Sequence, residues 1–150
     1  MSVPKSKRGI SKMEFIDNAD KLETFTLEHA TRFPKRFRFN LQERIVNYAM
    51  DIHSNVVKAN DYPVTIEQYE KRLRLFYETR EMLQDMVRKI EKVNVITKGQ
   101  TIKPNVMKEW MWLIDRELRL LGGIISSDKD ALKVLKGMSQ DERDKLYGII

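Results

Sequence analysis

Eight consecutive positions, Arg32-Phe33-Pro34-Lys35-Arg36-Phe37-Arg38-Phe39, hold only cations, phenylalanines and one proline. Cations neutralise phosphates, and aromatic rings stack on exposed bases. Further cations recur at helical spacing downstream: Arg44, then Lys71, Arg72 and Arg74, then Arg88, Lys89 and Lys92. The net charge is +6 and the pI about 9.5, a balance that suits a polyanionic partner as well as ordinary solubility. The nucleic-acid-binding set read from the sequence is Arg32, Lys35, Arg36, Arg38, Arg44, Arg72, Arg74, Arg88, Lys89 and Lys92. Such a set would contact phosphates without reading bases.

Other chemistry is sparse. Neither His29 nor His53 has a glutamate three residues before it, as a ferritin-type Glu-x-x-His metal site needs. His29 falls on a core stripe. No phosphate-cradling glycine loop and no nucleophile motif is present. Carboxylates such as Glu78 and Glu81 read as a solvated face, and Met82, Met86, Met107 and Met111 as core filling. With no cysteine, disulfides and thiolate zinc sites are excluded. The reading is a non-enzymatic protein with no cofactor and no metal. A cytoplasmic location is expected, because no apolar leader follows the basic start and no run approaches the ~18 apolar residues of a membrane span.

The elements that must position these cations are helices. Phe15, Ala19, Leu22, Thr26, His29 and Phe33 recur at three and four, and Ser11 with Glu14 reads as a capping box, so a first helix is expected from about Lys12 to Arg32. Residues 1–10 read as a flexible basic arm. Pro34 suits the start of a second helix, to Ala59, whose stripe runs through Phe37, Leu41, Ile45, Tyr48, Ile52 and Val56. Thr65 and Gln68 cap a third from Ile66 to about Val95. Pro104 opens a fourth, from Lys103 to Ser126, weakened by Gly122-Gly123. Asp128 is read as the cap of a short helix around 131–136, and Ser139 with Glu142 as the cap of another through Tyr147. The fold class is all-α: an antiparallel up-down four-helix bundle over 11–127, with a helical extension over 128–150.

Two features call for partners. Trp110-Met111-Trp112-Leu113-Ile114 is apolar all round a helix, and Trp110 and Trp112 point about 200° apart. The second helix carries a further apolar face, Phe39, Val46, Met50 and Val57. An oligomer interface of Phe39, Val46, Met50, Trp110 and Trp112 is expected. The alternative is that the C-terminal segment folds back over the fourth helix. Arg80 and Glu117 interrupt the stripes of the third and fourth helices, which suggests a pair across the bundle seam or at a subunit interface, the alternative being that Arg80 snorkels to water.

Phe33-Pro34-Lys35, then Phe39, Leu41 and Ile45, then Asn55-Val56 and Ala59-Asn60 resemble a family pattern. It is that of the four-helix-bundle proteins that include the accessory variability determinant of diversity-generating retroelements. Proteins encoded in intervening sequences of bacterial ribosomal RNA belong to the same family. The opening Ser2-Val3-Pro4-Lys5-Ser6-Lys7-Arg8 is similar to bacterial members of the accessory branch. The resemblance spans about residues 1–129. It implies a homopentameric barrel with a basic surface that binds a reverse transcriptase and template RNA or DNA, supports mutagenic retrohoming and has no catalytic residues. The third helix is richer in Arg and Glu than the intervening-sequence branch, and nothing beyond about Asp130 has a counterpart. The other reading is a protein–protein module whose charges serve solubility alone.

Overall fold

A computed structural model describes the backbone of residues 5–63 and 65–146, and side chains from Met13 onward. The fold is all-α, as the periodicity predicts, with no strand among the described residues. Helices α1 (Lys5–Ala30), α2 (Glu43–Asn60), α3 (Ile66–Ile96) and α4 (Pro104–Lys136) form the bundle, and α5 (Gln140–Leu146) follows. Each long helix packs against two others: α1 on α2 and α4, α3 on α2 and α4. The cross-helix bonds run antiparallel. Asn18 and Thr26 of α1 meet Glu117 and Trp110 of α4, while Tyr48 and Asn55 of α2 meet Asp85 and Thr79 of α3.

The apolar stripes meet in one core. Phe15, Ala19 and Leu22 face Ile45, Ile52 and Val56, with Phe76, Leu83, Met86 and Ile90 opposite and Trp110, Ile114 and Leu121 closing the fourth side. Burying each large aliphatic side chain contributes roughly 1.5–3 kcal/mol. Met82, Met107 and Met111 pack against this core, as filling residues do.

Several boundaries differ from the sequence expectation. Helix α1 begins at Lys5, so Ser11 is internal and not a cap, and Lys5–Ile10 are helical rather than an arm. Residues 1–4 lie outside the described residues. The second helix does not start smoothly at Lys35. A 3-10 turn (Lys35–Phe37) and a π turn (Arg38–Gln42) precede α2. Spacings of four from Phe37 to Leu41 to Ile45 exceed the 3.6-residue period, and a wide turn keeps such residues in line.

Helix α4 runs for 33 residues straight through Gly122-Gly123. Nothing lies within 4 Å of where a Cβ on either glycine would sit, so neither marks a close approach. Asp128 is therefore helical interior and no cap, and the extension proper begins at Gly137. The Ser139–Glu142 cap is formed: the Ser139 hydroxyl accepts the Glu142 N–H at 3.2 Å, and the Glu142 carboxylate accepts the Ser139 N–H at 3.4 Å. Tyr147 lies outside the described residues. No helix of the described residues is long and apolar enough to cross a membrane.

Buried polar groups tie the helices. The Thr26 hydroxyl accepts the Trp110 indole N–H at 3.0 Å. Asn18 donates to the Leu113 carbonyl at 3.0 Å and to Glu117 at 3.1 Å. Glu117 thus meets Asn18 and not Arg80, which instead lies over the Tyr77 ring, 5.4 Å from its centroid. The expected Arg80–Glu117 pair across the bundle seam does not form. Burial raises the Glu117 pKa to about 8, so the side chain enters the core as a neutral acid.

Candidate nucleic-acid interface

Short connections bring two basic segments to one end of the bundle. The corner between α1 and α2 supplies Arg32, Lys35, Arg36 and Arg38, and the start of α2 supplies Arg44; the loop into α4 supplies Lys98 and Lys103, and the start of α4 supplies Lys108. Residues 31–44 and 97–108 contain one carboxylate, Glu43. Arg32, Lys35, Arg36 and Arg38 are exposed, while Phe33 and Phe37 are buried beneath them. Arg36 lies over the Phe37 ring, 4.6 Å from its centroid. The rings of the run are thus architecture and hold the cations outward, with Phe39 alone left exposed.

Two hollows open here. One, of about 340 Å³, is lined by Pro34, Arg36, Ile96, Thr97, Lys98, Gln100 and Thr101. The other is smaller and has His29, Arg32, Lys103, Val106 and Trp110 among its lining residues. Neither has a carboxylate in its wall. The first turn of α4 lies beside the second hollow, with no acidic residue and no side-chain cap. Its free N–H groups add to the positive potential.

The loop geometry is specific. Gly99 N–H bonds to the Asn94 carbonyl at 2.8 Å and Lys98 N–H to the Val95 carbonyl at 3.1 Å, a Schellman closure of α3. Its left-handed positions are Lys98, with φ of 55°, and Gly99, with φ of 73°. Glycine is usual at the first of these, and a side chain there costs about 1 kcal/mol. Lys98 thus holds a strained conformation that places its backbone beside Arg36. Sequence reading missed Lys98 and Lys103. The signal was the topology itself, since an antiparallel bundle puts the third connection beside the first.

The other expected cations divide. Lys92 is exposed and has no ion pair among the described residues; Arg88 is exposed but touches Asp85 at 3.4 Å. Lys89 is a correction. It is half-buried, and its ammonium is bound to Asp85, which also accepts from Tyr48. Hydrogen bonds from Lys89 and Tyr48 hold the Asp85 carboxyl down to about 2. Arg72 is a second correction. It is 6% exposed and clamps Asp128 through Nε at 2.9 Å and Nη2 at 3.2 Å. Arg74 is exposed, but it belongs to the opposite end, 18 residues or roughly 27 Å along α3 from Lys92.

Of the expected interface residues, Trp110 is corrected. It is fully buried, against Phe25 and Phe33 as well as Thr26. Val46 is partly buried against the core. Phe39, Met50 and Trp112 stay outside, exposed by 75%, 47% and 48%. Trp112 borders a groove between α1 and α4 of about 380 Å³, with Arg116 over its ring. Among the described residues, 128–136 continue α4, and no residue of the C-terminal segment lines this groove. His29 is half-buried, its ring 4.2 Å from that of Phe25. Comparison with protein-family models, curated proteins and solved structures gives no match.

Proposed function

We propose that this chain is a non-enzymatic, self-associating basic scaffold whose bundle end holds single-stranded RNA or DNA by its phosphates. The reading rests on one observation: Arg32, Arg36, Lys98 and Lys103 line adjoining hollows that contain no carboxylate, with Lys98 kept there in a strained conformation. Strain of that kind gathers where position matters more than stability. Self-association would multiply the patch, and exposed Phe39, Met50 and Trp112 are the surfaces that support it. The family resemblance extends the proposal to a pentameric accessory subunit of a diversity-generating retroelement, holding template beside its reverse transcriptase.

The test is a salt titration of binding to single-stranded RNA. Removing one phosphate-binding cation should reduce the slope of log K against log salt by about 0.7. Charge reversal at Arg36 and Arg38, or at Lys98 and Lys103, is expected to flatten the slope and leave the oligomer mass unchanged. An unaltered slope in both pairs would remove the bundle end from the reading. Oligomer mass is read separately by native mass spectrometry.

One set of ion pairs favours the protein–protein module instead. Cations along the helix sides pair with their own carboxylates, Lys21 with Asp17 at 3.0 Å and Arg119 with Asp115 at 3.1 Å. Such faces are self-neutralised. Absence of polyanion binding at about 50 mM salt, where attraction to phosphate is strongest, would select this reading.

A further inference from the structure

Midway along the bundle, three ligand-type side chains converge from two helices. Asp20 and Glu23 lie three apart on α1, on one face. His53 comes across from α2, its Nδ1 3.2 Å from Glu23 Oε2 and 4.0 Å from Asp20 Oδ1. One ligand atom from each residue falls within 4.8 Å of the others. We propose that Asp20, Glu23 and His53 form a binding site for a zinc-type divalent cation that staples α1 to α2.

The spacing carries the argument. Zinc bonds to imidazole nitrogen and carboxylate oxygen are about 2.0–2.2 Å, so ligand atoms around a tetrahedral ion stand about 3.4 Å apart. The Glu23–His53 pair already has that separation. Asp20, at 4.0 Å from the imidazole, has an exposed side chain that is free to turn toward the ion. The charge balance agrees. Neither carboxylate pairs with Lys or Arg among the described residues, so two negative charges share a single imidazole. A mixed nitrogen and oxygen set suits zinc and its neighbours; magnesium and calcium call for oxygen alone. The side chains of Glu23 and His53 are each 25% exposed, which leaves the ion open to solvent and to one or more waters.

This triad escapes any search for ligands along a single helix, because only packing brings His53 to α1. It is also separate from the basic end: His53 lies 15 residues, roughly 22 Å, along the chain's second helical segment from Arg38.

The probe is zinc chloride added to the full chain, followed by calorimetry, thermal melting and the imidazole NMR signals. One equivalent should bind, raise the melting temperature in a concentration-dependent way and shift the His53 ring through Nδ1. Glu23→Gln preserves the shape of the side chain and should weaken binding. His53→Ala should weaken it by more than the roughly 10–100-fold that losing a mere supporting residue costs. His29→Ala should leave it intact, and excess magnesium should not compete. Zinc binding that survives His53→Ala, or a melting temperature indifferent to zinc in the wild-type chain, would overturn the site and leave His53 as a hydrogen-bond partner of Glu23.

Discussion

Arg72 and Asp128, 56 positions apart, form a bidentate ion pair that is almost wholly buried between α3 and α4. Arg72 also donates to the Ala59 carbonyl at 3.2 Å, so one guanidinium joins the end of α2, the start of α3 and the late part of α4. Removing one partner leaves a charge in the interior. Asp128→Asn or Arg72→Met should cost roughly 3–5 kcal/mol in denaturant unfolding. The double replacement Arg72→Met with Asp128→Leu should recover most of it. Additive losses in the double variant would show that the two side chains act independently.

Glu117 gives a pH dependence with a defined sign. The unfolded chain releases this proton near 4.5, whereas the folded chain keeps it to about 8. Between those values the unfolded state gains, so stability falls as pH rises through the window and levels off above it. At pH 7 the cost is on the order of 3 kcal/mol. Glu117→Gln should be more stable than the wild type at pH 7. The difference should be small at pH 4 and should grow to pH 8.5. Parallel stability curves for the two proteins would contradict a buried neutral acid.

Lys98 separates stability from binding. Lys98→Gly relieves the left-handed side chain and should stabilise the fold by about 1 kcal/mol. The same change removes a cation from the hollow and should weaken RNA binding at low salt. Lys98→Arg should keep binding and the strain together. A glycine variant that binds as well as the wild type would make the strain incidental.

The two tryptophans should behave as opposites. Trp110→Ala opens the core and leaves the Thr26 hydroxyl without its donor, a loss of about 3–5 kcal/mol. Trp112→Ala should stay within about 0.5 kcal/mol of wild-type stability while reducing self-association, measured by sedimentation. Unchanged sedimentation would take Trp112 out of the interface.

What the sequence discloses follows from what periodicity measures. Stripes at three and four locate all four long helices and their inward faces, and the Thr65 and Ser139 caps are present with the partners expected. Periodicity cannot assign a cation to water or to a partner inside. Arg72 sits one place from Leu73 and Lys89 one from Ile90, where a long polar side chain can turn either way; Asp128 and Asp85 decide both. Nor does it tell which of two tryptophans 200° apart is inside. Thr26, on the opposite helix, settles that by accepting the Trp110 indole. Gly122-Gly123 reads as a weak point in the last turns because glycine weakens isolated helices. Packing of Leu121 and Ile125 on either side carries α4 through it.

The wide turn between Arg38 and Gln42 amounts to slack in the winding of the second helix. Ile45 and the core residues beyond it lie on one side of this turn, Arg36 and Phe37 lie on the other, and Arg38 belongs to the turn itself. Because Phe33 and Phe37 are buried on its near side, the cationic corner is pinned to the core at both ends of this slack. Lengthening or shortening this segment by a residue would therefore turn buried Phe37 and Ile45 out of phase with each other by about 100°. The slack in this way lets one helix keep two separate anchors in a single core.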